Sequence, residues 1–102
     1  MIKVSVSCPT FEGTDYPYFK NKMHMHLEAI DNDLWYVVVV GVPNVSEGIT
    51  AADVKRSAQL DSTAKNIICG HLTKGLYGRV SALRTAKEIW EWLSKVNEGV
   101  SS

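Results

Sequence analysis

Leu34-Trp35-Tyr36-Val37-Val38-Val39-Val40, closed by Gly41, is the stretch that decides the fold class of this chain. Read as a strand it makes the protein mixed; read as a helix it makes the protein all-α. Four consecutive valines favour a strand, because branched side chains fit a pleated, half-buried surface. Periodicity does not settle the matter, since a short apolar run matches both templates. Even when it is extended to Val42, the run is only about half the length of a membrane span. Asp31-Asn32-Asp33 breaks the preceding pattern and offers caps to the run, and Gly41-Val42-Pro43-Asn44 ends it. A loop through Glu47-Gly48 leads on to Thr50.

Working outward, the flanks read as helix. Glu12-Gly13-Thr14-Asp15 is a turn in which Thr14 or Asp15 can cap the free amides of a following helix, and Pro17 suits a first turn. Tyr16, Phe19, Met23, Leu27 and Ile30 then recur at spacings of three and four, one face of an amphipathic helix. A long helix is expected from Ala51 to about Leu72, striped by Leu60, Ala64, Ile67, Ile68 and Leu72, with Val54 near the edge. Gly70 weakens its interior by about 1 kcal/mol relative to Ala. Lys74-Gly75 reads as a stop, and Leu76 to Leu83 as a short helical turn and loop. Thr85-Ala86-Lys87-Glu88 is a capping box opening a last helix whose stripe is Ala86, Ile89, Trp90, Leu93 and Val96. Gly99 suits the left-handed residue after its end. Before all of this, Ile2, Val4 and Val6 alternate with Lys3, Ser5 and Ser7, a period-two pattern fitting a short strand or an extended arm, and Cys8-Pro9 turns the chain.

The chain has 102 residues, 45% of them apolar and 22% charged, which is room for one globular domain over 1–102. Eleven Lys or Arg balance eleven Asp or Glu, so the basic excess typical of a nucleic-acid binder is absent. No run of like charge suggests a polybasic membrane patch. Neither nucleic acid nor membrane is therefore an expected partner of this domain alone. Cys8 and Cys69 lie far apart, whereas a secreted domain of this size carries several bridges. Ile2 to Val6 is too short and too interrupted for a signal peptide. A reduced, cytoplasmic setting is the expectation, with both thiols as packing residues.

Catalytic and metal-binding patterns are thin. On a helix His24 and His26 stand about 200° apart, too far to share one ion. His26 falls at the edge of the apolar stripe, His24 faces out, and His71 lies on its helix's apolar side, as a core or boundary histidine does. There is no Cys-x-x-Cys, no His-x-x-x-His and no Gly-x-Ser-x-Gly, and Gly75-x-x-Gly78 lacks the Lys-Ser/Thr of a phosphate loop. Asp31 and Asp33 sit where caps are wanted. No catalytic residue, metal or cofactor is expected, and the chain reads as a non-enzymatic protein.

The aromatic residues say more. Trp35, Trp90 and Trp92 do not all fit at the centre of so small a core. Phe19, Leu27, Trp35, Ile68, Trp90 and Leu93 are expected to be buried together. Trp92 lies at the flank of its stripe, where it serves as an interface anchor or packs against the N-terminal arm. Ile2, Val4, Val6, Tyr36, Val40 and Trp92 make up the expected partner-binding surface, with a symmetric homodimer as its leading use.

Four segments resemble, in order, the motifs of plant copia-type retrotransposon Gag proteins. Phe11-Glu12-Gly13-Thr14-Asp15-Tyr16-Pro17-Tyr18-Phe19-Lys20, followed by Met23 and Leu27, is similar to the family's Phe-Asp-Gly-x-Asn-Tyr-x-x-Trp-Lys-x-x-Met opening. Asp33-Leu34-Trp35-x-x-Val38 with Gly41 resembles the second motif, and Leu60-Asp61-x-x-Ala64-Lys65-Asn66-Ile67-Ile68 the third. Thr85-Ala86-Lys87-Glu88-Ile89-Trp90-Glu91-x-Leu93 with Glu98-Gly99 resembles the fourth. Phe19 stands where the family's first motif has tryptophan, and Val37 to Val40 replaces a mix that carries acids. The resemblance implies an all-α, retroviral-capsid-like N-terminal domain of four or five helices with an extended N-terminal arm. It resolves the valine run as a short helix, against propensity. It also implies self-assembly of a particle shell around RNA. Two functions follow as expectations: a homotypic assembly domain, or a domesticated Gag-derived module that binds a different protein in defence or regulation.

Overall fold

The computed structural model describes residues 8–99. Five helices run in the order α1 (Tyr16–Ile30), α2 (Asn32–Val40), α3 (Ala51–Gly70), α4 (Lys74–Val80) and α5 (Ala86–Glu98). Among the described residues there is no strand, only two isolated bridges, Phe11 with Leu72 and Ser46 with Ile49. The protein is all-α, and the valine run is helical.

The valine run is a helix because its two faces have different surroundings. Leu34, Val37 and Val38, at helical spacing, are buried, while Tyr36, Val39 and Val40 point away from the core. The Asp31 carboxylate accepts the Asp33 N–H at 2.8 Å and caps the start of α2. Gly41 ends it at φ 89°. A side chain there would be strained by the backbone, and its Cβ would meet Lys87 Cδ at 3.0 Å, so the chain turns at a residue with no Cβ. Burial against three other helices outweighs a propensity difference of about 1 kcal/mol or less.

α1 buries Tyr16, Phe19, Met23 and Leu27, but Ile30, expected on the same stripe, is exposed at its end. Its start differs from the expected cap. Asp15 holds the N-cap position at φ 55° and its side chain makes no capping bond. The left-handed backbone carries the turn instead, a conformation aspartate adopts more readily than most residues. That turn folds Phe11 back into the core. Its N–H donates to His71 O at 2.7 Å, and its O accepts from Thr73 N–H at 3.3 Å. Its ring stacks on Phe19 at 4.9 Å and meets Tyr16 edge-on at 5.6 Å.

α3 opens on a reciprocal capping box between Thr50 and Asp53. It buries Ala64 and Ile68, with Leu60 and Ile67 half-buried at the margins. The expected stop at Lys74-Gly75 falls elsewhere: α3 ends at Gly70, and Lys74 and Gly75 form the first turn of α4. The fully buried Val80 and half-buried Leu76 anchor this short helix, giving it a packing role that a two-residue stop signal does not reveal.

α5 follows its expected stripe through Ala86, Ile89, Trp90 and Leu93, while Val96 is exposed. The capping box is only half as expected. Thr85 Oγ1 accepts the Glu88 N–H at 3.1 Å, but the Glu88 carboxylate accepts from Arg84 N–H at 2.8 Å rather than from Thr85. Gly99 ends the helix at φ 58° in the left-handed region. A polar clamp ties α5 to α1. Tyr16 Oη lies 3.3 Å from Ser94 Oγ, Ser94 Oγ donates to Glu98 Oε1 at 2.9 Å, and Lys20 Nζ donates to Glu98 Oε2 at 2.9 Å.

The expected central residues do come together. Phe19, Leu27, Ile68, Trp90 and Leu93 belong to one buried cluster, and Trp35 packs against it half-buried. Trp35 presents its edge to Trp90 at 5.5 Å.

Candidate interaction site

α2 is the element whose apolar content exceeds what the core uses. Once Leu34, Val37 and Val38 are buried, Tyr36, Val39 and Val40 remain at i, i+3 and i+4 on its outer face, exposed by 62%, 49% and 54%. Tyr36 and Val40 were singled out from sequence. Val39 was not, although its spacing from Tyr36 is that of a shared helix face. Tyr36 also borders a groove between α2 and α3, about 220 Å³ in volume, whose walls include Val37, Ser57 and Leu60. Arg56 and Asp33, an exposed ion pair at 3.1 Å, stand at the same groove.

The other expected contact residues fall elsewhere. Ile2, Val4 and Val6 lie outside the described residues. Trp92, on α5, is half-buried and packs against the core cluster.

His24, read as facing out, is half-buried. Its ring stacks on Trp35 with centroids 3.9 Å apart and planes 17° apart, and Nε2 lies 3.1 Å from Glu28 Oε1. The imidazole therefore roofs the indole that the core leaves partly open. His26 and His71, both half-buried, meet edge to face at 5.3 Å, and His71 Nδ1 is 2.8 Å from Ile67 O.

Among the described residues, no three or more His, Cys, Asp or Glu side chains are grouped so as to hold a metal ion. Asp31 is engaged as a cap and Asp33 in its ion pair with Arg56. Both cysteines are free. Burial pushes the Cys8 thiol up to about 11, against a smaller opposing pull from Lys22, and burial also raises the Cys69 thiol. Thiols held in the protonated form are poor nucleophiles. No helix among the described residues is long and apolar enough to cross a membrane.

One buried polar residue went unread as a structural element. Asp61, on α3, is 7% exposed and accepts the Ala86 N–H at 2.9 Å. No family model, no curated protein and no solved structure matches this chain.

Proposed function

We propose that this chain is a non-enzymatic self-assembly domain, resembling the capsid N-terminal domain of copia-type retrotransposon Gag and acting inside the cell through contacts between copies. The observation that carries this reading is the outer face of α2. Three adjacent large apolar side chains, Tyr36, Val39 and Val40, stand half-exposed or more on a helix whose opposite face already completes the core. Contiguous apolar surface of this kind is characteristic of protein contact sites. A two-fold pairing of α2 faces would bury the same residues from both copies. Light scattering over a concentration series tests it. The parent is expected to gain mass with concentration, and the Tyr36→Ser/Val40→Ser double variant to stay monomeric while folded. A parent that remains a monomer throughout would remove the reading.

A second reading is favoured by the α2–α3 groove. Its concave apolar floor, formed by Val37 and Leu60 beside the exposed Arg56–Asp33 pair, suits a segment of a different protein, as a domesticated Gag-derived module would bind. In that case the purified protein is a monomer, and Leu60→Glu abolishes capture of the partner without changing the mass of the free protein.

A further inference from the structure

α4 is the shortest and least secured of the five helices. Its seven residues, Lys74-Gly75-Leu76-Tyr77-Gly78-Arg79-Val80, fall well below the roughly 12–15 at which an isolated helix becomes even marginal in water. The Thr73 side chain makes no capping bond, and no acidic residue lies in the first turn. Lys74 instead brings positive charge to the positive end of the helix dipole. Two of the seven residues are glycine, and the backbone does not require them. Neither Gly75 nor Gly78 has a positive φ, and a Cβ at either would meet nothing within 4 Å. Alanine would fit at both. In a helix interior, glycine in place of alanine shifts the balance away from the helix about fivefold.

The helix is held from one side only. Lys74, Gly75, Tyr77, Gly78 and Arg79 are exposed, so Leu76 and Val80, at i and i+4, carry its packing. At its end Ser81 Oγ donates to Gly78 O at 3.2 Å. α3, by contrast, opens on a complete capping box and buries Asp61, Ala64 and Ile68 along its middle. α4 covers a flank of this firmer helix. Tyr77 forms the α4 wall of a cleft of about 220 Å³ whose other lining residues, Ser62, Lys65, Asn66 and Cys69, all lie on α3.

We infer that α4 is a lid, which unfolds locally while the other four helices stay folded and so gates the α3 flank at Cys69. Opening releases Leu76 and Val80 from the core and removes the Tyr77 wall. The two glycines set how often the lid opens, because they weaken the closed form without serving its geometry. A local opening exposes little surface, so its equilibrium responds weakly to denaturant, whereas that of global unfolding responds strongly. The lid shares no residue with the outer face of α2 and is independent of the assembly reading.

Hydrogen exchange of the full chain in increasing, sub-denaturing urea tests the lid. The Tyr77 amide, which donates to Thr73 O at 2.8 Å, should be less protected than the amides of Ala64 and Ile68. Its protection should change little with urea, while theirs falls with global stability. Gly78→Ala should slow exchange at Tyr77 about fivefold. Gln59→Ala, a change at an exposed position of α3, should leave it unaltered. A bulky maleimide should label Cys69 more slowly in Gly78→Ala by the same factor. Trypsin should cut the native parent at Lys74, Arg79 or Arg84 ahead of Lys55, Arg56 or Lys65. Thermal unfolding establishes that each variant is folded. Equal protection and an equal urea slope at Tyr77 and Ala64 would overturn the lid. So would exchange at Tyr77 or labelling of Cys69 indifferent to Gly78→Ala, or tryptic cutting within α3 ahead of α4.

Discussion

The Asp61 carboxylate on α3 accepts the backbone N–H of Ala86, the first residue of α5, at 2.9 Å across twenty-five residues of sequence. Both groups are buried, so the bond joins two helices and satisfies one of the four amides that open every helix. A negative charge at that end also suits the helix dipole. Replacing Asp61 by Ala leaves the amide without a partner in the interior. A loss of about 2–3 kcal/mol is expected, measured by urea unfolding. Asp61→Asn retains an acceptor and should lose less.

Trp90 closes the core between two other aromatics, with ring centroids 6.3 Å from Phe19 and 5.5 Å from Trp35. Trp90→Ala removes a large buried side chain and should cost about 3–5 kcal/mol. An unchanged melting temperature would contradict this account of the core.

The clamp between α1 and α5 makes stability depend on pH in a defined direction. Hydrogen bonds from Lys20 and then Ser94 hold the Glu98 carboxyl below its ordinary range. A depressed folded value means that the contribution is present above the unfolded value, about 4.3 for glutamate, and is lost as pH falls through the folded one. Glu98→Gln should therefore be less stable than the parent at neutral pH. The two urea midpoints should converge in acid. The same sign holds for Asp53, whose carboxyl is lowered by hydrogen bonds from the Thr50 backbone and side chain. A gap between parent and Glu98→Gln that stays constant from neutral pH into acid would exclude the clamp.

Cys8 is buried and its thiol is raised to about 11, so at neutral pH it has almost no thiolate. Mass spectrometry after brief alkylation of the native protein should find Cys8 unmodified, becoming labelled only in denaturant. Rapid native labelling at Cys8 would place it on the surface.

Much of this architecture was legible in residue spacing. The stripes Tyr16-Phe19-Met23-Leu27 and Ala86-Ile89-Trp90-Leu93 mark buried faces because a helix brings every third or fourth residue to one side. Stripe ends were less legible: Ile30 and Val96 continue the period but lie past the last packed turn. Residue spacing left the valine run open, since its state depends on partners contributed by α1, α3 and α5; the motif resemblance favoured a helix. Local capping was readable where both partners are near in sequence, as with Asp31 and Asp33. Glu88 reached one residue further back than the usual box, and Asp15 replaced a side-chain cap with a left-handed backbone. Asp61 was hidden for a physical reason: its partner is a backbone amide on another helix, and no residue type advertises an amide. Of the contact residues read from sequence, Tyr36 and Val40 share one face of α2, and their neighbour Val39 became evident only once that face was oriented.

The short backbone pairing of Phe11 with the loop after α3 also bears on the order in which the protein assembles. About sixty residues separate Phe11 from His71, and bringing such distant points together costs chain entropy that local helix contacts do not. The two hydrogen bonds there need the end of α3 as their partner, so the expected order is that this backbone pairing closes after α3 has formed. Hydrogen exchange at the Phe11 and Thr73 amides should accordingly be faster than in the middle of α3, marking the seam at which the molecule opens.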